Sequence, residues 1–398
     1  MRVTMAWELG GGGGHVGRLG VLGHALRSRG HRVDLLCRDP QLGHRWSGPG
    51  SFDRVIQAPT RPKPTDRPTV ATWADILLHA CYHGSASDCH AYIEAWANAL
   101  EACRPDVLVT DFAPTAVLLA GRLDAPCINV STGYDMPPAG RDSLPNLRAL
   151  AGFADADTFD TTIGERRLLE KLADRLPSGT QRLTDLYAGM NRIRTTVPAL
   201  DHYGPQPDGR YVGRLPVPPV PTADTDWPAG NGLRLAGYVK PFAMLGLLLD
   251  LLGLTGIASL LHLTRINARN TQPNVTVTAE PLPLDVLARD ADIGVCHAGA
   301  ATVATFARAG VPMLLIPLNT EQAITARRVA ELGIGIAVGP EDAEGLRGGL
   351  QRLLADGRFT ASAKTFAATL GGFDLDAALC TTVDAIESLS CSSRHSET

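Results

Sequence analysis

ADIGVCHAGAATVATFARAGVPMLLIPLNTEQAITARRVAELGIG, Ala291–Gly335, decides the fold. Ile293–Cys296 is a short apolar run of strand character, and the small residues after His297 form a turn into a helix-spaced segment. Gly310 and Pro312 punctuate that helix, Met313–Pro317 is a second apolar strand, and an acid–amide pair, Glu321–Gln322, opens another helix. Strand, turn, helix, strand, loop and helix in that order predict a parallel αβ unit whose loops open toward one ligand. A second glycine-rich turn, GGGGGHVG at Gly10–Gly17, follows the first predicted strand, Arg2–Leu9. The fold class expected is therefore α/β, with two Rossmann-like domains whose parallel sheets face each other across a cleft.

Composition agrees. At 398 residues the chain is long for one core and suited to two domains. Its net charge of −4 gives no global attraction to nucleic acid or anionic lipid, so no nucleic-acid partner is expected. MRVTMAWELGGGG reads as a first strand and not as a secretory leader. None of the 8 cysteines falls in a CxxC or metal-ligand spacing, and a cytoplasmic protein without disulfides or zinc is expected. Pro241–Thr264 is long enough and apolar enough to span a bilayer. The Leu254–Gly256 turn splits it, however, into a helix and a strand, so buried core is the expectation, with peripheral membrane contact left open and the oligomeric state unspecified.

The first domain is assigned to residues 1–205, an interdomain linker to 206–231, the second domain to 232–390 and a flexible tail to 391–398. Within the first, Val16–Arg29 has helical spacing, Pro105–Thr110 is a buried strand ending at Asp111, and Pro145–Arg194 reads as helical without strands. The proline-rich loop Pro59–Pro68 and that helical stretch would shape a substrate wall.

Candidate site residues fall at predicted sheet edges. His15 starts the first helix, and Asp111 ends a strand on the same edge. An aspartate accepting from one imidazole nitrogen fixes the tautomer and frees the other as a base. The competing reading makes His15 a structural hydrogen-bonder and Asp111 a helix cap. In the second domain His297, Thr302 and the backbone of Gly299, Ala300 and Ala301 form a phosphate cradle at a helix start. Glu321 and Gln322 supply acceptors and donors for sugar hydroxyls, unless they only lead a solvated helix. Four DxD patterns occur, at Asp155–Asp157, Asp224–Asp226, Asp290–Asp292 and Asp374–Asp376. None ends a strand, and no metal is assigned.

These residues resemble the GT-B glycosyltransferases of the UDP-glycosyltransferase group that includes macrolide and flavonoid transferases, in a bacterial branch. HAGAAT, AGVP, IPLNTEQ and ARRVAELGIG follow the donor-binding pattern over Pro281–Val338, while WELGGGGGH carries a looser likeness at the N-terminus. The resemblance implies a GT-B fold, His15 as general base and Asp111 as the residue that orients it. It implies that His297 and Thr302 contact the donor phosphates and that Glu321 and Gln322 hold the transferred sugar. Lys240 would stand in a phosphate-proximal loop, where a lysine is unusual. Three positions depart from the family pattern. Arg18 replaces a proline, the base-stacking tryptophan has no counterpart near Pro281–Leu284, and Thr305 replaces the ribose-binding acid.

The reaction so implied is an inverting, metal-independent transfer from a UDP- or dTDP-sugar to a hydroxyl of a small acceptor, a natural product or lipid, with no cofactor. Three alternatives stay open: a nucleotide-sugar epimerase, an NAD-dependent oxidoreductase using Gly10–Gly17 with Asp39 as its acid, and a non-catalytic nucleotide-sugar-binding partner protein.

Overall fold

RVTMAW at Arg2–Trp7 is buried from its second residue onward, as expected of a strand covered on both faces of a parallel sheet. This strand, β1, is joined by β2 (Arg32–Cys37), β3 (Arg54–Gln57), β4 (Val107–Thr110), β5 (Cys127–Ser131) and β6 (Asn191–Arg194). The computed structural model describes residues 1–62, 64–65, 69–207, 209–217, 226–264 and 272–393, with side chains to 390. The six strands pair in the order β3-β2-β1-β4-β5-β6, all parallel. A second six-stranded sheet holds β7 (Arg234–Val239), β8 (Ala258–Leu263), β9 (Val275–Thr278), β10 (Ile293–Cys296), β11 (Met313–Leu315) and β12 (Gly335–Ala337). Its order, β12-β11-β10-β7-β8-β9, is again all parallel. Both sheets reverse direction of winding beside their first strand, between β1 and β4 and between β7 and β10. In open α/β sheets that is where ligands bind, beyond the carboxyl ends of the strands.

The described residues divide into two compact units, Met1–Val220 with Phe373–Thr398 and Pro221–Gly372. Three sequence expectations are corrected here. The second domain does not run to 390, because the helix Leu375–Ser393 belongs to the first unit. It buries Ala378, Thr382, Val383 and Ile386, and it ties Glu387 to His31 at 2.6 Å and Asp384 to Arg29 at 2.6 Å. The tail also starts later than 391, since this helix continues to Ser393, and residues 394–398 lie outside the described part. Nor is all of 206–231 linker. Val212 N–H donates to Arg194 O, Gly213 N–H donates to Thr196 O, and Val212 and Leu215 are buried, so this stretch runs along β6. Residues 218–225, which include Asp224 of the second DxD pattern, are outside the described residues, as are 63 and 66–68 of the proline-rich loop.

The stretch expected to lack strands contributes β6 at the sheet edge. Only four residues long, it carries arginines at Arg192 and Arg194, which hid it from an apolar search. The membrane-length run splits into a helix with one buried face and a buried strand, as the turn at Gly256 predicts, while Leu254 is 84% exposed. Leu245, Leu248 and Leu252 of the helix Leu245–Thr255 pack with Leu235, Leu261 and Val295, and Gly256 ends the helix at φ 68°. Among the described residues no helix is long and apolar enough to cross a membrane.

The first helix, Gly13–Ser28, carries glycine where its neighbours come closest. A Cβ on Gly20 would lie 2.5 Å from the Ser47 backbone. Gly20→Ala should therefore lower stability by about 1–3 kcal/mol despite alanine's better helix propensity. Urea unfolding that shows an unchanged or raised midpoint would contradict this packing.

Candidate active site

β1 and β4 end side by side, which brings His15 and Asp111 together across 96 residues of sequence. His15 Nδ1 lies 2.9 Å from Asp111 Oδ1. A buried carboxylate that also accepts from Arg18 can only accept here, so Nδ1 carries the proton and Nε2 is left as the basic atom. Asp111 is fully buried, while His15 keeps 18% of its side chain exposed. Burial opposes ionisation of Asp111, but the charges of Arg18 and His15 outweigh it and hold the carboxyl below its ordinary range. The helix-cap reading of Asp111 does not hold. Ala113 occupies the N-cap of the helix Pro114–Leu119, and it makes no side-chain cap.

The glycine run serves this histidine. Gly10 adopts φ +86°, and a Cβ there would lie 2.5 Å from His15 Nε2, the unprotonated ring nitrogen. Trp7 and Phe112 flank the imidazole with ring centroids at 6.0 and 5.4 Å. Phe112, directly after Asp111, is itself held at φ 52°. Its N–H donates to Asp135 Oδ2 at 2.9 Å, and its carbonyl accepts from Glu8 and Leu9 N–H. Asp135 is buried with Asn129 and Ser131 as donors; burial, and then the charge of Asp111, push its carboxyl up.

Arg18, Gly10, Phe112 and Asp135 were not assigned to the site from sequence. Two left a trace: Arg18 as the residue standing where the family pattern has a proline, and Gly10 as the start of the glycine-rich turn. Glu8 was missed too. Its carboxylate accepts from Thr115 N–H at 2.7 Å, Thr115 Oγ1 at 2.6 Å and Tyr92 OH at 2.8 Å, so it caps the helix after β4 from the end of β1. That helix start is thereby occupied. Asp39, the acid required by the oxidoreductase alternative, accepts from Leu42 N–H at 3.0 Å as the cap of Pro40–Trp46.

In the second unit Lys240 follows β7 and His297 follows β10, neighbours in register. His297 differs from expectation. It is 3% exposed, its Nδ1 donates to Ile316 O at 2.6 Å, and its Nε2 accepts from Lys240 N–H at 2.6 Å. Both nitrogens tie strand ends together, so a direct phosphate contact would require breaking the bond to Lys240. Ala298 then turns at φ 58°, matching Phe112 at the equivalent place in the other sheet. The helix Ala300–Ala309 follows with Gly299 at its N-cap and no side-chain cap. The N–H groups of Ala300, Ala301 and Thr302 thus meet no capping side chain, and a Cβ on Gly299 would touch nothing within 4 Å. This suits a phosphate.

Asn319 caps the helix Thr320–Glu331 by accepting from Gln322 N–H, and the Gln322 amide oxygen accepts from Leu318 N–H at 2.8 Å. The Gln322 amide nitrogen can still donate, and Glu321 sits beside it, half-buried, in the first turn. Thr305 donates to Ala301 O at 3.1 Å and stands 3.4 Å from the Asp285 carboxylate. Among the described residues no His, Cys, Asp and Glu cluster could hold a metal ion, and the described cysteines are free thiols.

Burial holds the His297 ring below its ordinary value of 6.5, although its bonds to Ile316 and Lys240 pull the other way. The folded state therefore favours the neutral ring, whereas the unfolded chain takes up a proton near 6.5. The stability contributed is full above that pH and is lost as pH falls through it toward the depressed folded value. Wild type should accordingly lose thermal stability between about pH 7.5 and about pH 5, and His297→Gln should lose less over the same interval. An equal loss in both proteins would place the acid sensitivity elsewhere.

Residues 257–371 match the family model of the erythromycin biosynthesis protein CIII-like C-terminal domain. The NDP-glycosyltransferase YjiC of Bacillus licheniformis is 42% identical over 59 residues, 15% of this chain and 15% of that protein. The demethyllactenocin mycarosyltransferase of Streptomyces fradiae is 39% identical over 90 residues, 20% of each chain. The matched stretches therefore span a fifth or less of these relatives. Solved structures extend the likeness of fold over the whole chain. The glycotransferase of kitacinnamycin superposes with a TM-score of 0.71 at 20% identity, covering 98% of both chains. The spinosyn rhamnosyltransferase SpnG complexed with thymidine diphosphate gives 0.65 at 20% identity, covering 96% of this chain and 99% of that one. Residues 257–371 are thus similar to the erythromycin-CIII-like C-terminal domain, and the two parallel six-stranded sheets share the fold of solved glycosyltransferases.

Proposed function

We propose that this protein is an inverting glycosyltransferase that moves a sugar from a nucleoside-diphosphate donor to a hydroxyl of a small natural-product-type acceptor. The observation that carries the reading is the His15–Asp111 pair at the carboxyl edge of the first sheet, with Nε2 beside Gly10. Nε2 takes the acceptor proton as the oxygen attacks the anomeric carbon from the side opposite the diphosphate. The carbon–oxygen bond to the diphosphate breaks with its electron pair leaving on phosphate, which inverts the centre. Base catalysis of this kind contributes about 10²–10⁴-fold. The departing charge is met by the helix start at Ala300–Thr302, and the reading calls for neither a metal nor a cofactor. Gln322 and Glu321 hold the sugar.

A dTDP-sugar is favoured over a UDP-sugar. Thr305 offers one hydroxyl where the family's acid serves a ribose diol, and a structural neighbour carries thymidine diphosphate. The oxidoreductase alternative loses its acid to a helix cap.

The test is release of nucleoside diphosphate from UDP- and dTDP-sugars in the presence and absence of pooled hydroxylated aglycones. Acceptor-dependent release with inverted product stereochemistry supports the reading. Donor binding without release from any acceptor favours a non-catalytic nucleotide-sugar-binding protein, and absence of donor binding ends it.

A further inference from the structure

Asp111 is shared. Arg18, one turn beyond His15 on the same helix, donates from Nε to Asp111 Oδ2 at 2.9 Å, and its Nη2 lies 2.6 Å from the same oxygen. The guanidinium is 10% exposed and the carboxylate fully buried. The same Nη2 stands 3.5 Å from His15 Nδ1. Since Nδ1 carries a proton bound to Asp111 Oδ1, this approach is a contact between two donors and not a hydrogen bond.

The consequence is electrostatic. In an isolated His–Asp pair, the positive charge that forms on the ring as it accepts a proton is matched by the carboxylate. Here the carboxylate is already matched by Arg18. At 3.5 Å from the ring nitrogen the guanidinium opposes the new charge that the carboxylate at 2.9 Å attracts, and so offsets part of that attraction. Arg18 thus supports the geometry of the pair and also sets a second positive charge beside the ring that receives the acceptor's proton. Such a base performs best on hydroxyls that give up their proton readily.

We propose that Arg18 is a positioning residue that sets acceptor class, confining transfer to acidic hydroxyls such as phenols and enols and disfavouring aliphatic alcohols. This rests on the transferase reading of His15. The proton still moves from the acceptor to Nε2; what changes is how far the acceptor's own acidity must drive that transfer. An acidic acceptor needs little from the base, whereas an aliphatic alcohol needs a fully compensated imidazolium.

The experiment compares transfer from dTDP-glucose and UDP-glucose to para-nitrophenol, phenol, benzyl alcohol and cyclohexanol, in wild type, Arg18→Lys, Arg18→Gln and His15→Ala. Wild type is expected to favour the phenols over the alcohols by more than about tenfold in kcat/KM, Arg18→Lys to keep that ratio, and Arg18→Gln to narrow it by about tenfold. A purely structural arginine would lower all acceptors together and leave the ratio alone, and that result overturns the proposal. The wild-type ratio stands without any variant, so poor folding of Arg18→Gln does not remove the test: wild type using cyclohexanol as well as phenol overturns it directly. Transfer that depends on His15 but shows no preference sinks only this inference. No His15-dependent transfer to any acceptor from either donor sinks it together with the transferase reading.

Discussion

His15→Ala is expected to lower acceptor-dependent release of nucleoside diphosphate by about 10²–10⁴-fold while leaving donor affinity within about twofold of wild type. The split follows from where the residues lie. His15 is at the edge of the first sheet, whereas the uncapped helix start at Ala300 and the Glu321–Gln322 pair belong to the second unit. The ring keeps 18% of its side chain exposed and alanine introduces no clash in its place, so the variant should fold. Calorimetric titration of the donor beside steady-state release separates the two quantities. Gly10→Ala should reproduce part of the kinetic loss by a different route, since its methyl would crowd Nε2 and the residue would have to hold φ +86°. Retention of full turnover by His15→Ala would remove the base from the mechanism, whatever the donor affinity.

Asp111→Ala is expected to cost about 3–5 kcal/mol of stability, more than any other single change at this site, because it strands a buried guanidinium. The hydrogen bonds of Arg18 end on Asp111, which is fully buried, and Arg18 itself is 10% exposed. Asp111→Asn should cost less, since the amide oxygen still accepts from Arg18. The double variant Asp111→Ala with Arg18→Met should recover a large part of the loss, because it removes both charges from the apolar pocket. Urea unfolding of the three proteins measures this. The wild-type contribution should also fade in acid. The Asp111 carboxyl titrates below its ordinary value of 3.8, so its contribution is present above 3.8 and is lost as pH falls through the depressed folded value. Equal stability of wild type and Asp111→Ala at neutral pH would mean that the pocket is wet enough to hydrate Arg18.

Much of this site was legible one residue at a time. His15, Asp111, Lys240 and His297 each end or follow a strand that short apolar runs and glycine turns announce, so their edge of the sheet could be read before their neighbours were known. The acid–amide pair at Glu321–Gln322 likewise sits at a helix start that Asn319 caps. The partnerships were less accessible. Arg18 reaches Asp111 across 93 residues and Glu8 reaches Thr115 across 107, and no local period encodes either contact. The role of His297 changed for the same reason. A histidine after a strand is free to meet a ligand unless neighbouring strand ends supply both a carbonyl and an N–H, and Ile316 and Lys240 do. The last helix kept its expected helical character yet belongs to the first unit, because its apolar face and Glu387 find their partners there.

The sequence by itself determined the alternation of strands and helices, the two-sheet fold and the edge on which the reactive groups stand, because these follow from side-chain period and turn chemistry over a few residues. Only the tertiary structure decided which charges share Asp111, which helix starts are capped and which remain available, and whether His297 faces a ligand or the backbone. Those outcomes depend on distances of about 3 Å between groups far apart in the chain, where burial makes each hydrogen bond or charge decisive.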